Sequence, residues 1–150
     1  MRLDILDSKT LPLLGLGALI HDFDHFHNDL NIARPVSSFS KEELIKYRQH
    51  PTQGAAAVAD KAHFDPFVIQ IIAEHEETDD GQGFPKGLVE TKIDRLITLV
   101  GCANYADRLL TFEKVDKNEL SKAIMIKGVG KYPLNILKAM SQILLTEFKT

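Results

Sequence analysis

Apolar residues recur along this sequence at intervals of three and four, a spacing that favours helices over strands. Three such stripes are Val68, Ile71 and Ile72; Ile93, Leu96, Ile97, Val100 and Gly101; and Leu134, Leu137, Met140, Ile143 and Leu144. A half-buried strand would instead alternate apolar and polar residues, and no convincing run of that kind occurs. Because 150 residues is the length of one ordinary domain, we predict a single all-α domain over residues 1–150, without a substantial sheet.

Local signals place the ends of the first predicted helices. Ser40 and Glu43 have the spacing of a capping box, which opens a helix. That helix should stop near His50, because the residue before a proline, here Pro51, is disfavoured in the helical conformation. A separate, short, alanine-rich helix is then predicted over about residues 53–62.

Two further helices are predicted from their first residues, and one segment is predicted to be a loop. Asp65 followed by Pro66 is typical of an N-cap and the first helical position. Asp116 with Glu119 indicates the start of another helix. Residues 80–87 include three glycines and a proline, so this segment should form a structured turn between helices.

Composition excludes several kinds of protein. The net charge of −3 gives no reason to expect non-specific binding to DNA or RNA. Residues 11–20 form an apolar run too short to span a bilayer, and the first residues lack a signal-peptide core. The lone cysteine, Cys102, excludes an internal disulfide and is expected in the core rather than as a nucleophile. We therefore expect a cytoplasmic protein with neither DNA nor a membrane as partner.

Two polar residues continue apolar stripes and so are predicted to face inward. His75 follows the stripe of residues 68–72, and Asn104 follows the stripe of residues 93–101. A buried polar group costs roughly 1–3 kcal/mol unless it is paired, so each residue needs a hydrogen-bond partner or a metal. Taken singly, a hydrogen-bonded core histidine and a crosslinking asparagine explain the pattern better than a metal site does.

The adjacent pair His21-Asp22 is a stronger indication of a metal site. Neighbouring residues on a helix point about 100° apart, which suits an aspartate that bridges two metals while its histidine binds one. Four residues that follow could add ligands, but most of them are expected to form a solvated face: Asp24, His25, His27 and Asp29. Divalent metals activate water and neutralise phosphate charge, so the pair points toward phosphoester hydrolysis.

The order and spacing of these motifs resemble one known family. The motifs are His21-Asp22, His50-Pro51 followed by Gly54, His75-x-Glu77, and the string Asp80-Gly81-Gln82-Gly83-Phe84-Pro85-Lys86-Gly87-Leu88. From about Leu14 to Leu110 the sequence resembles the HD-GYP family, with Phe84 where the name-giving tyrosine usually stands. The resemblance implies an all-helical domain of the HD superfamily and the activity of a metal-dependent phosphodiesterase of bacterial cyclic di-GMP.

Site residues follow from the resemblance position by position. The implied metal ligands are His21, Asp22, His50, His75, Glu76 and Asn104. Among these Asp22 is the bridging carboxylate, and Asp107 is implied to lie near the metals or the substrate. The implied substrate or partner loop comprises Asp80, Gly81, Gly83, Phe84 and Pro85, joined by His25 at the family's phosphate-binding lysine. The metal would be one or two ions of iron or manganese. The possibility that no metal binds is left open.

Four substitutions distinguish this sequence from the family pattern. His25 stands for the lysine, Glu76 for the second histidine of a His-His pair, Asn104 for the closing aspartate, and Glu113 for an arginine. A neutral amide is a far weaker metal ligand than a carboxylate. Glu113 should repel a phosphate, and His25 is cationic only below about pH 6.5 when its pKa is unperturbed.

These substitutions leave two functions open. The first is a cyclic di-GMP phosphodiesterase of reduced activity, and the second is a catalytically silent signalling module that meets a diguanylate-cyclase-type protein through residues 81–88. A di-iron oxygenase is a remote third interpretation. Only 20 residues precede His21, so a further helical segment of the family is expected to be lacking, and Asp4 or Asp7 could substitute for its ligand.

Overall fold

The computed structural model describes residues 8–147, and this part of the chain is helical. Its six α-helices are α1 (Thr10–Ile20), α2 (Lys41–Val58), α3 (Pro66–Glu74), α4 (Arg95–Thr111), α5 (Leu120–Gly128) and α6 (Leu134–Glu147). Short 3₁₀ helices cover Phe23–Phe26, Val36–Ser38 and Glu90–Lys92. Within the described range only isolated bridges, Asp80 to Val89 and Val129 to Tyr132, replace strands. The all-α prediction is confirmed, while Asp4 and Asp7 lie outside the described residues.

Helix α3 lies at the centre of the N-terminal part of the fold, where it packs on α1, α2 and α4. Ile71 and Ile72 are both fully buried, yet they belong to different clusters. Ile71 packs with residues of α1 and α4, and Ile72 packs with residues of α2. Neighbouring positions on a helix point about 100° apart, so α3 holds its partners on two sides. Three chain segments that carry histidines are thereby brought together.

A second core joins α4, α5 and α6. Cys102, Ile124 and Leu137 are fully buried in it. Burial raises the pKa of the Cys102 thiol to about 12, so this side chain is a core residue and not a nucleophile at neutral pH. No helix among residues 8–147 is both long enough and apolar enough to cross a lipid bilayer.

The capping signals in the sequence are present in the structure, with one displacement. Ser40 Oγ accepts from Glu43 N, and Glu43 Oε2 accepts from Ser40 N, which completes the capping box of α2. Asp65 Oδ1 caps α3, with Pro66 in its first turn. Helix α5, however, begins at Leu120 rather than at Asp116, because Asp116 Oδ1 accepts from the backbone of residue 118 in a preceding turn.

The prediction that a helix would stop near His50 is wrong. Helix α2 continues through Pro51 to Val58, so the separate helix predicted over residues 53–62 is its second half. Proline at position 51 cannot donate to the Tyr47 carbonyl four residues earlier. His50 Nδ1 bonds that carbonyl instead, at 2.6 Å. This substitute partner, together with burial of the Pro51 ring, outweighs the local preference against helix.

The close approach of α4 to the end of α3 requires a glycine at position 101. A Cβ atom on Gly101 would lie 2.5 Å from the carbonyl oxygen of His75, so α4 can pass the end of α3 only with glycine there. Tyr132 Oη donates to the Gly101 carbonyl at 3.2 Å and holds the crossing from the other side. Asn104, one turn further along α4, is consequently set beside the histidines.

We expect the change Pro51→Ala to disturb His50 without disturbing the helix. An alanine restores the backbone N–H, which will compete with the His50 ring for the Tyr47 carbonyl. Circular dichroism should show unchanged helix content, while ¹⁵N NMR of the metal-free variant should show His50 as a mixture of ring tautomers. Pro66→Ala is the matched control, since Pro66 lies in a first turn where no such carbonyl is freed. An unchanged His50 tautomer in Pro51→Ala would contradict this account.

Candidate metal centre

Three histidines from three helices converge on the carboxylate of Asp22. His21 is the residue that ends α1, His50 lies within α2, and His75 ends α3. Asp22 Oδ1 lies 3.1 Å from His50 Nε2 and 3.2 Å from His75 Nε2, and Asp22 Oδ2 lies 3.4 Å from His21 Nε2. The helix packing therefore collects residues far apart in sequence around one carboxylate.

Each of the three rings is oriented by the backbone of its own helix. The Nδ1 bonds join His21 to the Ala18 carbonyl (2.7 Å), His50 to Tyr47 (2.6 Å) and His75 to Ile72 (2.9 Å), always three residues earlier. The carbonyls of Ala18 and Ile72 lie in last helical turns, where such groups lack intrahelical partners. A carbonyl can only accept, so the ring proton is assigned to Nδ1 and the Nε2 lone pair faces inward.

This arrangement suits a cation. His50 Nε2 and His75 Nε2 are 3.0 Å apart, and both would be acceptors in the neutral tautomer. The side chains are 0 % and 1 % exposed, so water does not compensate. Asp22 Oδ1 and His21 Nε2 are likewise buried, with no hydrogen-bond partner among residues 8–147. Converging imidazole and carboxylate donors are the ligand set of divalent transition metals, so the residues fit the metal implied by the resemblance.

The donor atoms form overlapping sets, within each of which all atoms lie inside 4.8 Å of one another. The sets are His21, Asp22 and His75; Asp22, His25 and His50; and His50, His75 and Glu76. Asp22 belongs to two sets that otherwise have no common member. One carboxylate can place an oxygen toward each of two ions, so the geometry suits a bridged pair as well as a single ion.

Two hydrogen-bond donors hold the carboxylate of Glu76 in place. Tyr47 Oη donates to Glu76 Oε1 at 2.6 Å, and Asn104 Nδ2 donates to the same oxygen at 3.3 Å. The resemblance placed Asn104 among the metal ligands, but here its amide nitrogen orients Glu76. Tyr47 was missed by the sequence analysis, because its hydroxyl meets Glu76 only through the packing of α2 on α3.

His25 lies within the cluster instead of extending toward a substrate. Its ring stacks parallel to Tyr47 with centroids 5.7 Å apart, and it lies 4.2 Å from the ring of His50. Burial, reinforced by the neighbouring His50, lowers the pKa of His25 to about 4 against the opposing pull of Asp22. His25 is therefore neutral at physiological pH and offers a lone pair rather than a positive charge.

Of the three other candidate ligands after Asp22, one is buried and two are exposed. Asp24 is buried beside His25, contrary to the expectation of a mainly solvated face, whereas His27 and Asp29 are exposed as expected. Asp24 belongs to the 3₁₀ helix over Phe23–Phe26, which packs on α2, whereas His27 and Asp29 come after it.

Asp107, implied to lie near the metals, is exposed and separate from the cluster. Its Oδ1 accepts from Thr111 Oγ1 at 3.0 Å. At about 100° per residue, position 108 is about 40° from the direction of Asn104, whereas position 107 is about 60° away on the other side. Helix α4 therefore turns Arg108 inward and Asp107 outward.

A buried carboxylate ties residues 80–88 to the end of α3. Glu77, which is 1 % exposed, accepts from Lys86 N through Oε1 and from Leu88 N through Oε2, each at 2.7 Å. Gly83 packs so closely on this turn that a Cβ would lie 2.4 Å from Thr78 N. These contacts explain why the glutamate and the glycine recur in one short motif.

The same contacts place Phe84 against the cluster. Its ring centroid lies 5.4 Å from that of Tyr47 and 6.0 Å from that of His50. Asp80 and Pro85 are exposed, and Asp80 closes the turn by accepting from Thr78 Oγ1 and Gln82 N. Gly81, with a φ of 71°, also serves the turn. Of the loop residues proposed from sequence, only Gly83 and Phe84 line a cavity that lies beside Glu76 and Asn104.

A cavity of about 290 Å³ opens beside Glu76 and Asn104. Its other walls include aromatic and charged side chains, among them Phe84, Tyr105, Arg108, Glu113, Lys131 and Tyr132. Glu113, the residue at the position of the family's arginine, is thus part of the cavity wall. The cavity is large enough for part of a nucleotide and is bordered by the candidate ligands.

Metal affinity is expected to rise with pH. Burial acts to lower the pKa of His21, but the adjacent carboxylate of Asp22 outweighs it and raises the pKa to about 9. In the metal-free protein a proton therefore occupies His21 at pH 7, and a metal must displace it. Manganese affinity should increase by about tenfold per pH unit up to about pH 9 and then level off. Anaerobic titration calorimetry at pH 7, 8 and 9 would measure this, and a pH-independent affinity would contradict it.

Comparison with known proteins agrees with this geometry. A family model described as the HD domain matches residues 29–126, which is more than half of the chain. The match begins after His21-Asp22. The chain is 24% identical over 141 residues to the cyclic di-GMP phosphodiesterase PA4108 of Pseudomonas aeruginosa, covering 82% of this chain and 34% of that protein.

A solved structure is more similar still. Bd1817, described as a HDG"Y"P protein from Bdellovibrio bacteriovorus, matches with a TM-score of 0.87 and 49% identity over 96% of this chain. The alignment covers 47% of that chain, so the present sequence spans about a third to a half of the relatives it matches. The chain belongs to the HD domain family and, within it, to the HD-GYP proteins.

Proposed function

We propose that this domain is a metal-dependent phosphodiesterase that acts on cyclic di-GMP or a closely related cyclic dinucleotide. The observation that carries the proposal is the convergence of two buried Nε2 lone pairs, 3.0 Å apart, on the Asp22 carboxylate. That arrangement has no evident use without a cation. The similarity to a cyclic di-GMP phosphodiesterase supports the choice of substrate.

The two donor sets that share Asp22 support a site for two ions. His21 and His75 would hold one ion with Asp22, and His25 and His50 would hold the other. Nitrogen and carboxylate donors suit iron or manganese. When bound, such ions would activate water and offset the negative charge on the oxygens of the reacting phosphate. Asp22 stays ionised in this role: burial opposes ionisation, but the surrounding histidines hold its pKa well below the usual range.

Two substitutions favour a slow enzyme over a fast one. Asn104 offers the ions no charge where the family has a carboxylate, and Glu113 places a negative charge in the cavity wall. The same two substitutions also favour the alternative function, that of a silent signalling module. In that case residues 81–88 would contact a diguanylate-cyclase-type partner, consistent with the exposure of Pro85 and Lys86.

Replacing Asp22 separates these possibilities. The purified protein is expected to contain iron or manganese and to hydrolyse cyclic di-GMP. Asp22→Asn should lower metal content, and it should lower the rate by about 100-fold or more, because a ligand common to both ions is lost. Asp60→Asn, the same change at an exposed position, should have no effect. Elemental analysis and chromatography of the products would provide both measurements, with circular dichroism as the check on folding.

The outcomes of that experiment are distinct. Bound metal without hydrolysis of cyclic di-GMP or of bis(p-nitrophenyl) phosphate would favour the silent module. Hydrolysis of the synthetic diester alone would keep the phosphodiesterase and reject the substrate. A protein that binds no metal under reducing, metal-supplemented conditions would refute the proposal.

Asn104→Asp tests whether the missing carboxylate limits the metal site. An aspartate here faces Glu76 Oε1, which Asn104 Nδ2 now contacts at 3.3 Å, so metal-free protein should be destabilised by like charges. Bound metal removes that repulsion, and metal affinity should rise about 10–100-fold. Calorimetric metal titration and denaturant unfolding of the metal-free variant would measure the two effects. Unchanged affinity would mean that Asn104 serves only to orient Glu76.

A further inference from the structure

Arg108 is a buried cation that the sequence analysis did not single out. Only 7 % of the residue is exposed. Its guanidinium carbon lies 4.8 Å from the ring centroid of Tyr47 and 5.7 Å from that of Phe112. Nη2 is buried and has no hydrogen-bond partner in the part of the chain that the structure describes. Arginine is seldom buried unless it is paired, so this donor indicates an anion supplied from outside the domain.

The position of Arg108 connects it to the candidate metal centre. It lines the cavity of about 290 Å³ together with Glu76 and Asn104. The Tyr47 ring beneath its guanidinium donates to Glu76 through Oη at 2.6 Å. One aromatic ring therefore separates the unpaired cation from a candidate metal ligand.

The rest of the cavity suits a nucleotide phosphate. Lys131 Nζ, a second cation in its wall, lies 5.0 Å from the ring centroid of Tyr105. Phe84, which is partly exposed, adds aromatic surface on which a base can stack. A guanidinium presents a planar fork of donors that matches phosphate oxygens, and a desolvated guanidinium binds them strongly.

We propose that Arg108 binds a phosphate group of the substrate in this cavity, as the permanent charge that His25 and Glu113 do not provide. The inference rests on the proposed function for the identity of the substrate, although the anion site itself needs only a phosphate. The alternative is a purely structural role, in which Arg108 makes cation–π contacts with Tyr47 and Phe112. In that case its removal would affect stability and leave phosphate affinity unchanged.

The test measures binding of cyclic di-GMP and of inorganic phosphate to the metal-loaded protein by titration calorimetry. Arg108→Met keeps most of the apolar stem and removes the charge, so both affinities should fall by at least tenfold, or about 1.4 kcal/mol. Metal content should stay the same by elemental analysis. Arg95→Met is the matched control, the same change in the same helix at an exposed position, and should alter neither affinity.

A second variant covers the case in which Arg108→Met fails to fold. Glu113→Gln removes a negative charge from the same cavity wall and leaves Arg108 in place, so phosphate should bind at least threefold more tightly. The proposal is overturned if phosphate affinity is unchanged in a folded Arg108→Met, or in Glu113→Gln when Arg108→Met does not fold. It is overturned equally if neither ligand binds the unmodified protein.

The same data keep the two proposals apart. Phosphate binding that depends on Arg108, without binding of cyclic di-GMP, would support the anion site and reject the substrate. Binding of cyclic di-GMP that is unaffected in Arg108→Met would support the substrate and reject the role of Arg108.

Discussion

Backbone carbonyls hold this site together, because each of three accepts the Nδ1 proton of a histidine three residues later. The bonds of His21, His50 and His75 turn their Nε2 lone pairs toward Asp22. Two of the carbonyls are available because a helix ends, and the third, that of Tyr47, because Pro51 has no N–H to donate. Lone pairs so directed repel one another until a proton or a metal ion lies between them. Metal binding and the stability of the folded centre are therefore linked.

Packing around α3 decides that the three rings meet. Ile71 and Ile72 send neighbouring positions of one helix into two clusters, so α4 and α2 are held on different sides, and α1 contributes to both clusters. Gly101 lets α4 pass the end of α3 at van der Waals distance, which brings Asn104 to Glu76. Glu77 then anchors the following loop through two backbone amides. The loop, the ligands and the cavity are in this sense parts of one packed unit.

The electrostatics of the site differ from what the family pattern implies. At the position of the family's lysine stands His25, whose pKa of about 4 leaves it neutral among the ligands. Glu113 brings a negative charge to the cavity, and Asn104 removes one from the centre. Arg108 is the buried cation among the cavity residues, and it occupies a position to which the motif gives no role. A site with its charges rearranged in this way is consistent with altered turnover or with altered substrate preference.

Helical periodicity, capping residues and motif spacing determined by themselves the all-α class, most helix starts and the family. These features depend on neighbours within a few positions, or on a string as specific as residues 80–88. Only the tertiary structure decided that α2 runs through Pro51, that Asp107 faces solvent while Arg108 faces the cavity, and that Tyr47 and Asn104 hold Glu76. Each of these outcomes depends on burial and on hydrogen bonds between helices. The local sequence around each residue does not reveal such contacts, because their energies arise only when the helices pack.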